Sequence, residues 1–338
     1  MADGYYWKFF TSSEAAWEGM LDSCRKATKT IDLEQFAFGN DNEIIGAFCK
    51  MFAQKAKEGV RVRLLLDAVG SFRFYRSSRC RELIEQGVEV VFHRGILRPS
   101  LKRLIPLILR DHRKLVVVDE EEVHIGGVII EERARHWRDT AVLIRGKVVS
   151  EFQGAFNTAW KRSRNMDPVG RVMSKEETEF SLAGNSFHLH HKDLYRAFLR
   201  HITAAKKYVY ITTPYFLPQR EFRRALYFAR DKGVDVRILL PKQSDNLLSD
   251  WVARRYYERL TRHGIRLYLY VPEVLHGKTI VVDDSWSSVG SCNFDWLSFW
   301  LNYELNIIST NQAFSTELRE IFLRDLEKSE EVLRSSVS

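Results

Sequence analysis

Two stretches of this sequence hold the same three chemically useful residues at the same spacing. His112, Lys114 and Asp119 stand in HRKLVVVD, and His276, Lys278 and Asp283 stand in HGKTIVVD. A neutral imidazole is both a nucleophile and a proton carrier. Two histidines and two lysines facing each other therefore suit a phosphodiester. One imidazole attacks phosphorus and becomes a phosphohistidine. The other protonates the departing oxygen, then takes the proton of the incoming alcohol or water. Lys114, Lys278 and Asn293 offer positive charge and an amide to the non-bridging oxygens, and Ser291 adds a hydroxyl donor. This scheme needs no metal and no cofactor.

The spacing implies local structure. LVVVD and TIVVD read as strands, so a histidine and a lysine two apart point the same way. A tight acidic turn follows, and then a short strand that ends at glycine. His112 to Gly126 is 14 positions, and His276 to Gly290 is also 14. The glycines are expected to let the backbone approach a bound anion. A histidine in this role also needs a carboxylate on its other ring nitrogen. Asp139, in HWRDT, and Glu304, in LNYELN, lie 27 and 28 positions after the two histidines and are the candidates.

The elements that must hold these residues repeat along the chain. CRKATKTIDLEQFAF matches ITAAKKYVYITTPYF, and AQKAKEGVRVRLLLD matches YFARDKGVDVRILLP, with Gly59 against Gly233. LIEQGVEVVFH then matches RLTRHGIRLYLY, with Gly87 against Gly264. Each pair reads as helix, glycine C-cap and buried strand, which predicts an α/β fold with a largely parallel sheet in each half. The expected division is residues 1–165, a polar linker over 166–185, and residues 186–338.

The net charge of +8 favours an anionic partner of some kind and does not choose among nucleic acid, lipid and phosphorylated substrates. No segment has the apolar length of a membrane span, and no signal peptide is expected at the N-terminus. The four cysteines, Cys24, Cys49, Cys80 and Cys292, lack metal or disulfide spacing and read as buried thiols of a reducing compartment. His188, His190 and His191 form an HLHH cluster without a partner at ligand spacing, so no metal site is expected there.

With these motifs in place, the chain resembles the phospholipase D superfamily and, within it, the bacterial cardiolipin synthases. The resemblance runs through IDLEQFAF, LLLDAVGS, DHRKLVVVD, TPYFLP, SDNLLSDWVARRYYERL, LHGKTIVVDD and GSCNFDWLSFWLNYELN. It implies two α/β/α lobes, each a mostly parallel sheet flanked by helices, related by a pseudo-twofold axis with the site between them. It implies His112 as the nucleophile and His276 as the acid and base. Lys114, Lys278 and Asn293 would bind phosphate, Asp119 and Asp283 would tie down the motif loops, and Asp139 and Glu304 would partner the histidines. Many family members carry N-terminal membrane helices, and no such segment is visible here. The first half departs from the pattern at one place, where Ile129 stands at the position matching Asn293.

The halves also differ in length. Gly87 to His112 spans 25 positions and Gly264 to His276 spans 12. The extra segment, about residues 94–110, mixes leucines and isoleucines with Arg94, Arg98, Lys102, Arg103 and Arg110, which reads as peripheral contact with a membrane. The activity expected is phosphatidyl transfer of the cardiolipin synthase type on an anionic phospholipid such as phosphatidylglycerol, at the inner face of the membrane from the cytoplasm. The alternatives are phospholipid hydrolysis and a nuclease. The nuclease would use Arg254, Arg255, Tyr256, Tyr257, Arg259 and Arg262 as a basic, aromatic groove.

Overall fold

The computed structural model describes residues 4–93, 110–164, 178–186, 191–244 and 256–332. The predicted membrane-contact segment lies outside these residues except for Arg110. His188, His190, Arg254 and Arg255 lie outside them as well.

The first sheet holds β1 (Tyr6–Phe10), β2 (Thr30–Gln35), β3 (Arg61–Asp67), β4 (Glu89–His93), β5 (Lys114–Val118), β6 (Glu122–Gly126) and β7 (Ala141–Arg145), in the order β1-β7-β6-β5-β2-β3-β4. The second sheet uses β8 (Phe180–Ser186), β9 (His191–Lys192), β10 (Tyr208–Thr212), β12 (Asp235–Pro241), β13 (Arg266–Tyr270), β14 (Thr279–Val282), β15 (Trp286–Gly290), β17 (Glu304–Ser309) and β18 (Ser329–Glu331). A two-stranded ribbon pairs β11 (Phe216–Leu217) with β16 (Phe294–Asp295). Read from β8 inward, the second sheet runs β8-β17-β15-β14-β10-β12-β13, which is the first sheet strand for strand, with β9 and β18 added at its edges. The sequence repeat is thus a repeat of topology. Strand β8 begins inside the segment expected as a linker and pairs along its length with β17.

The helix-linked strands β2, β3 and β4, and likewise β10, β12 and β13, pair in parallel, as expected for chains returning through a helix. The motif strands differ. β5 and β6 are joined by a three-residue turn, which permits only antiparallel neighbours, and β5 also runs antiparallel to β2. Each sheet is therefore mixed: the motif strand is antiparallel to both its neighbours, and the helix-linked strands beyond it on one side are parallel to one another.

Local chemistry explains the elements. Ser12 and Asn311 cap helices Ser13–Lys26 and Gln312–Leu326 by accepting from the backbone three residues on. Gly59, Gly87, Gly233 and Gly264 end their helices at φ between +76° and +90°, where a side chain would be strained. Period-two alternation then divides the motif strands between layers. Val116 and Val118 pack under the outer helices of the first lobe, whereas Leu115 and Val117 face a central layer shared with Val281, Leu305 and Ile307 of the second sheet. That layer also contains Phe152 and Phe156 of helix Val149–Ser163 and Phe314 and Leu318 of helix Gln312–Leu326. The lobes share one apolar core, and the motif strands run along it.

Candidate active site

The two motifs converge, and each histidine takes its carboxylate from the other lobe. His112 Nδ1 lies 3.0 and 3.1 Å from the two oxygens of Glu304. His276 Nδ1 lies 2.7 Å from Asp139 Oδ2. The spacing within each half had suggested a histidine and an acid of one repeat, but the structure pairs them crosswise. The backbone accounts for this. His112 N–H donates to Tyr303 O at 3.0 Å, and Tyr303 N–H donates to Arg110 O at 2.9 Å. His276 N–H donates to Arg138 O at 2.8 Å, and Arg138 N–H donates to Val274 O at 2.9 Å. Two parallel bridges between lobes thus set each histidine beside the residue that precedes the opposite acid. A carboxylate on Nδ1 orients each ring and favours the tautomer that carries its proton there.

Lys114 and Lys278 are buried, and each ammonium donates to the carbonyl of its own motif histidine, Lys114 at 2.6 Å. Burial holds the Lys114 ammonium down at about 7; Glu304 opposes this and the like charge of Lys278 adds to it. Burial likewise lowers His112 below its usual value, against the pull of Glu304. At neutral pH the imidazole is therefore uncharged, the form in which an imidazole can attack an electrophile. The ring centres of Phe36 and His112 lie 4.9 Å apart, and those of Trp137 and His276 5.0 Å apart.

Asp119 and Asp283 are at the far ends of the motif strands, about 16 Å along the chain from their lysines at some 3.3 Å per residue. Asp119 accepts the N–H groups of Thr28, Lys29 and Thr30, and Asp283 those of Lys206, Lys207 and Tyr208. Both sit in turns of positive φ, with Asp119 at 54° and Glu120 at 60°, and Asp283 at 56° and Asp284 at 55°. Aspartate tolerates that conformation better than most side chains. The third motif residue thus closes the hairpin and fastens it to the start of the neighbouring strand.

Ser291 and the glycines occupy different places from those expected. The Ser291 hydroxyl donates to Glu304 Oε2 and accepts from Leu305 N, so it holds the acid. A Cβ on Gly127 would overlap Asp139 Oδ1 and lie 3.1 Å from His276 O. What approaches this glycine is the Asp139 carboxylate, because Asp139 leads into β7, which pairs with β6 of the motif hairpin. Asn293 is buried and its Oδ1 has no hydrogen-bond partner among the described residues. At the matching place Ile129 is 4% exposed and belongs to the apolar core of the first lobe.

Sequence reasoning missed Arg138 and the buried charges beside His112. Arg113 is bidentate to Asp111 and also contacts Glu34. Asp111 and Arg113 flank His112 in the sequence, a signal available in DHRK. No group of three or more histidine, cysteine or acidic side chains is placed to hold a metal among the described residues. All four cysteines are buried and free.

The family described as "Cardiolipin synthase, PLD-like domain" matches residues 20–160 and 198–326. A cardiolipin synthase of Clostridium perfringens (strain 13 / Type A) is 31% identical over 335 residues, which cover 94% of this chain and 69% of that protein. A cardiolipin synthase of Halalkalibacterium halodurans is 31% identical over 340 residues, covering 96% of this chain and 67% of its own. Among solved structures, a phosphatidylserine synthase from Haemophilus influenzae Rd KW20 superposes with a TM-score of 0.79 at 14% identity, over 98% of this chain and 88% of that one. That last likeness is one of fold.

Proposed function

Because the chain belongs to the cardiolipin synthase family of phospholipase D-like domains, we propose that it transfers a phosphatidyl group between phospholipids through a histidine intermediate. The observation that carries this reading is the pair of crossed dyads, His112–Glu304 and His276–Asp139. Two imidazoles, each oriented by a buried carboxylate, supply the nucleophile and the proton carrier that a two-step displacement needs.

His112 Nε2 attacks the phosphorus of an anionic phospholipid such as phosphatidylglycerol. The bond to the headgroup oxygen breaks, and His276 gives that oxygen a proton. An alcohol, such as the glycerol headgroup of a second phosphatidylglycerol, then enters. His276 takes its proton as the oxygen displaces His112. Water in place of the alcohol gives hydrolysis. Lys114, Lys278 and Nδ2 of Asn293 donate to the non-bridging oxygens, and the unsatisfied Asn293 Oδ1 is an acceptor that suits a substrate hydroxyl. Asp119 and Asp283 hold the hairpins, and Ser291 positions Glu304.

A lipid substrate also suits the surface near the site. Val69, Phe72, Trp296 and Leu297 are each at least 40% exposed. Val69 follows Asp67, which accepts the N–H of Asp111 beside His112, and Trp296 follows Asn293 by three residues. Exposed apolar side chains this close in sequence to residues of the site favour peripheral contact with a membrane. The nuclease reading lacks such support. Tyr256 and Tyr257 pack against the core of the second lobe, so they form no open stacking platform.

The test offers the purified protein phosphatidylglycerol vesicles and, separately, single-stranded DNA and RNA, all with chelator. Formation of cardiolipin that disappears in His112→Ala and in His276→Ala supports the reading. Cleavage of nucleic acid without lipid turnover overturns it.

A further inference from the structure

The residue just before each dyad acid is fastened to the central helix of the opposite lobe. Arg138 precedes Asp139. Its guanidinium is bidentate to Asp325, with Nε 2.9 Å from Oδ1 and Nη2 2.6 Å from Oδ2. Its Nη1 donates to Asp139 O at 2.6 Å and to Thr140 Oγ1 at 3.0 Å. Its own carbonyl receives the N–H of His276 at 2.8 Å. One residue therefore touches the main chain of both members of the His276–Asp139 dyad.

Tyr303 precedes Glu304. The Arg162 guanidinium lies 3.9 Å from the centre of its ring and reaches Asp111 Oδ2 at 3.3 Å. The Tyr303 carbonyl receives the N–H of His112 at 3.0 Å. Arg162 and Asp325 hold the same place, the fourteenth residue of two 15-residue helices, Val149–Ser163 and Gln312–Leu326. The two contacts are thus related by the repeat, although one is an ion pair and the other a cation over a ring.

We propose that Arg138–Asp325 and Tyr303–Arg162 are paired latches between the lobes, each positioning one histidine–carboxylate dyad for its own step of the reaction. Burial argues against ion pairing for stability alone. Arg138 and Asp325 are 5% and 6% exposed, and a buried pair is often matched in stability by apolar residues of similar size. What those apolar residues cannot do is hold Asp139 and Thr140 in direction. Arg138, Asp325, Tyr303 and Arg162 act through their neighbours, so they are positioning residues.

This inference rests on the roles assigned above to His112 and His276, and its test separates the two claims. The first turnover is followed with phosphatidylglycerol and with a phosphatidyl-p-nitrophenol, whose departing phenolate needs no proton. Asp325→Asn and the double variant Arg138→Met/Asp325→Leu are compared with Arg162→Met and with His276→Ala. The double variant leaves no lone buried charge, and thermal melting verifies that it is folded.

Loosening the Asp325 latch is expected to slow release of glycerol from phosphatidylglycerol about 10- to 100-fold while leaving the p-nitrophenol burst within about threefold. Arg162→Met, which acts on the nucleophile's dyad, is expected to slow both. General loosening of the fold cannot give opposite signatures at two related contacts. Equal loss on both lipids, or no loss, in a folded Arg138→Met/Asp325→Leu protein overturns the latch. If His276→Ala itself loses both activities equally, the acid assignment falls, and the latch's tie to leaving-group protonation falls with it.

Discussion

Replacing Gly127 with alanine puts a methyl group where the structure has the Asp139 carboxylate. The new carbon would overlap Asp139 Oδ1 and lie 3.1 Å from both Asp139 Cγ and His276 O. Ordinary contact between such atoms is about 3.5 Å, so the carboxylate must retreat by about 1 Å. The hydrogen bond to His276 is 2.7 Å, and an added 1 Å or so takes it past hydrogen-bonding length. A misplacement of that size costs about 100-fold in rate, or about 2.7 kcal/mol of barrier. Overpacking adds about 1–3 kcal/mol of lost stability. Gly154→Ala is the matched control, since its Cβ would meet nothing within 4 Å on an exposed helix face, and it should gain about 0.4–1 kcal/mol. The assay is kcat for cardiolipin formation from phosphatidylglycerol vesicles, alongside thermal melts. A folded Gly127→Ala protein that keeps kcat within about threefold refutes the idea that this close approach positions Asp139.

Other outcomes follow from the same geometry. Lys114 carries its charge only below about 7, so kcat/KM for an anionic phospholipid should fall as pH rises through that value, and an acid limb should lie below the ordinary histidine pKa, where His112 becomes protonated. Steady-state rates between pH 5 and 9 examine both limbs. Asp119→Ala and Asp283→Ala each strand three backbone N–H groups and should cost roughly 2–4 kcal/mol of stability with kcat changed only a few fold; denaturant unfolding and the lipid assay report the two quantities. Burial pushes the Asp119 carboxyl up, but the N–H donors of Thr30, Thr28 and Lys29 outweigh it and its pKa is lowered. Its stabilisation is therefore complete above the usual carboxylate range and is lost as pH falls through the lowered value. Ile129→Asn, which copies Asn293 of the second half, should destabilise by about 2–4 kcal/mol and gain no activity, because its amide would enter an apolar core; melting and kcat decide.

Much of this fold was written in the chain's repeats. Aligning Gly59 with Gly233 and Gly87 with Gly264 located helix ends that are left-handed in the structure. Period two in LVVVD divided the strand between two cores. The antiparallel ladders were less visible, since a sequence repeat gives the order of elements and leaves their direction to the turns between them. In the site, His112, Lys114, His276 and Lys278 were marked by spacing, and the two acids by their offsets. Their crossed pairing was not legible, because it depends on how the lobes dock, through Tyr303 and Arg138. Ser291 looked like a phosphate ligand, since a hydroxyl after a glycine announces a donor but not its acceptor. The glycines looked like an anion cradle for the same reason, yet the anion that approaches Gly127 is Asp139. Arg138 and Asp325, far apart in the chain, form a pair that no local pattern announces.

The proposed transfer passes through a phosphohistidine at His112. Phosphatidylglycerol labelled at its phosphorus is mixed with enzyme, quenched in base within the first turnover, and the labelled peptide identified. Phosphatidyl label is expected on His112 and absent in His112→Ala; with a phosphorus-labelled phosphatidyl-p-nitrophenol as donor, whose departure needs no proton, it is expected to accumulate in His276→Ala, where only removal of the intermediate is slowed. Label on His276, or cardiolipin formed by His112→Ala at the parent rate, would contradict it.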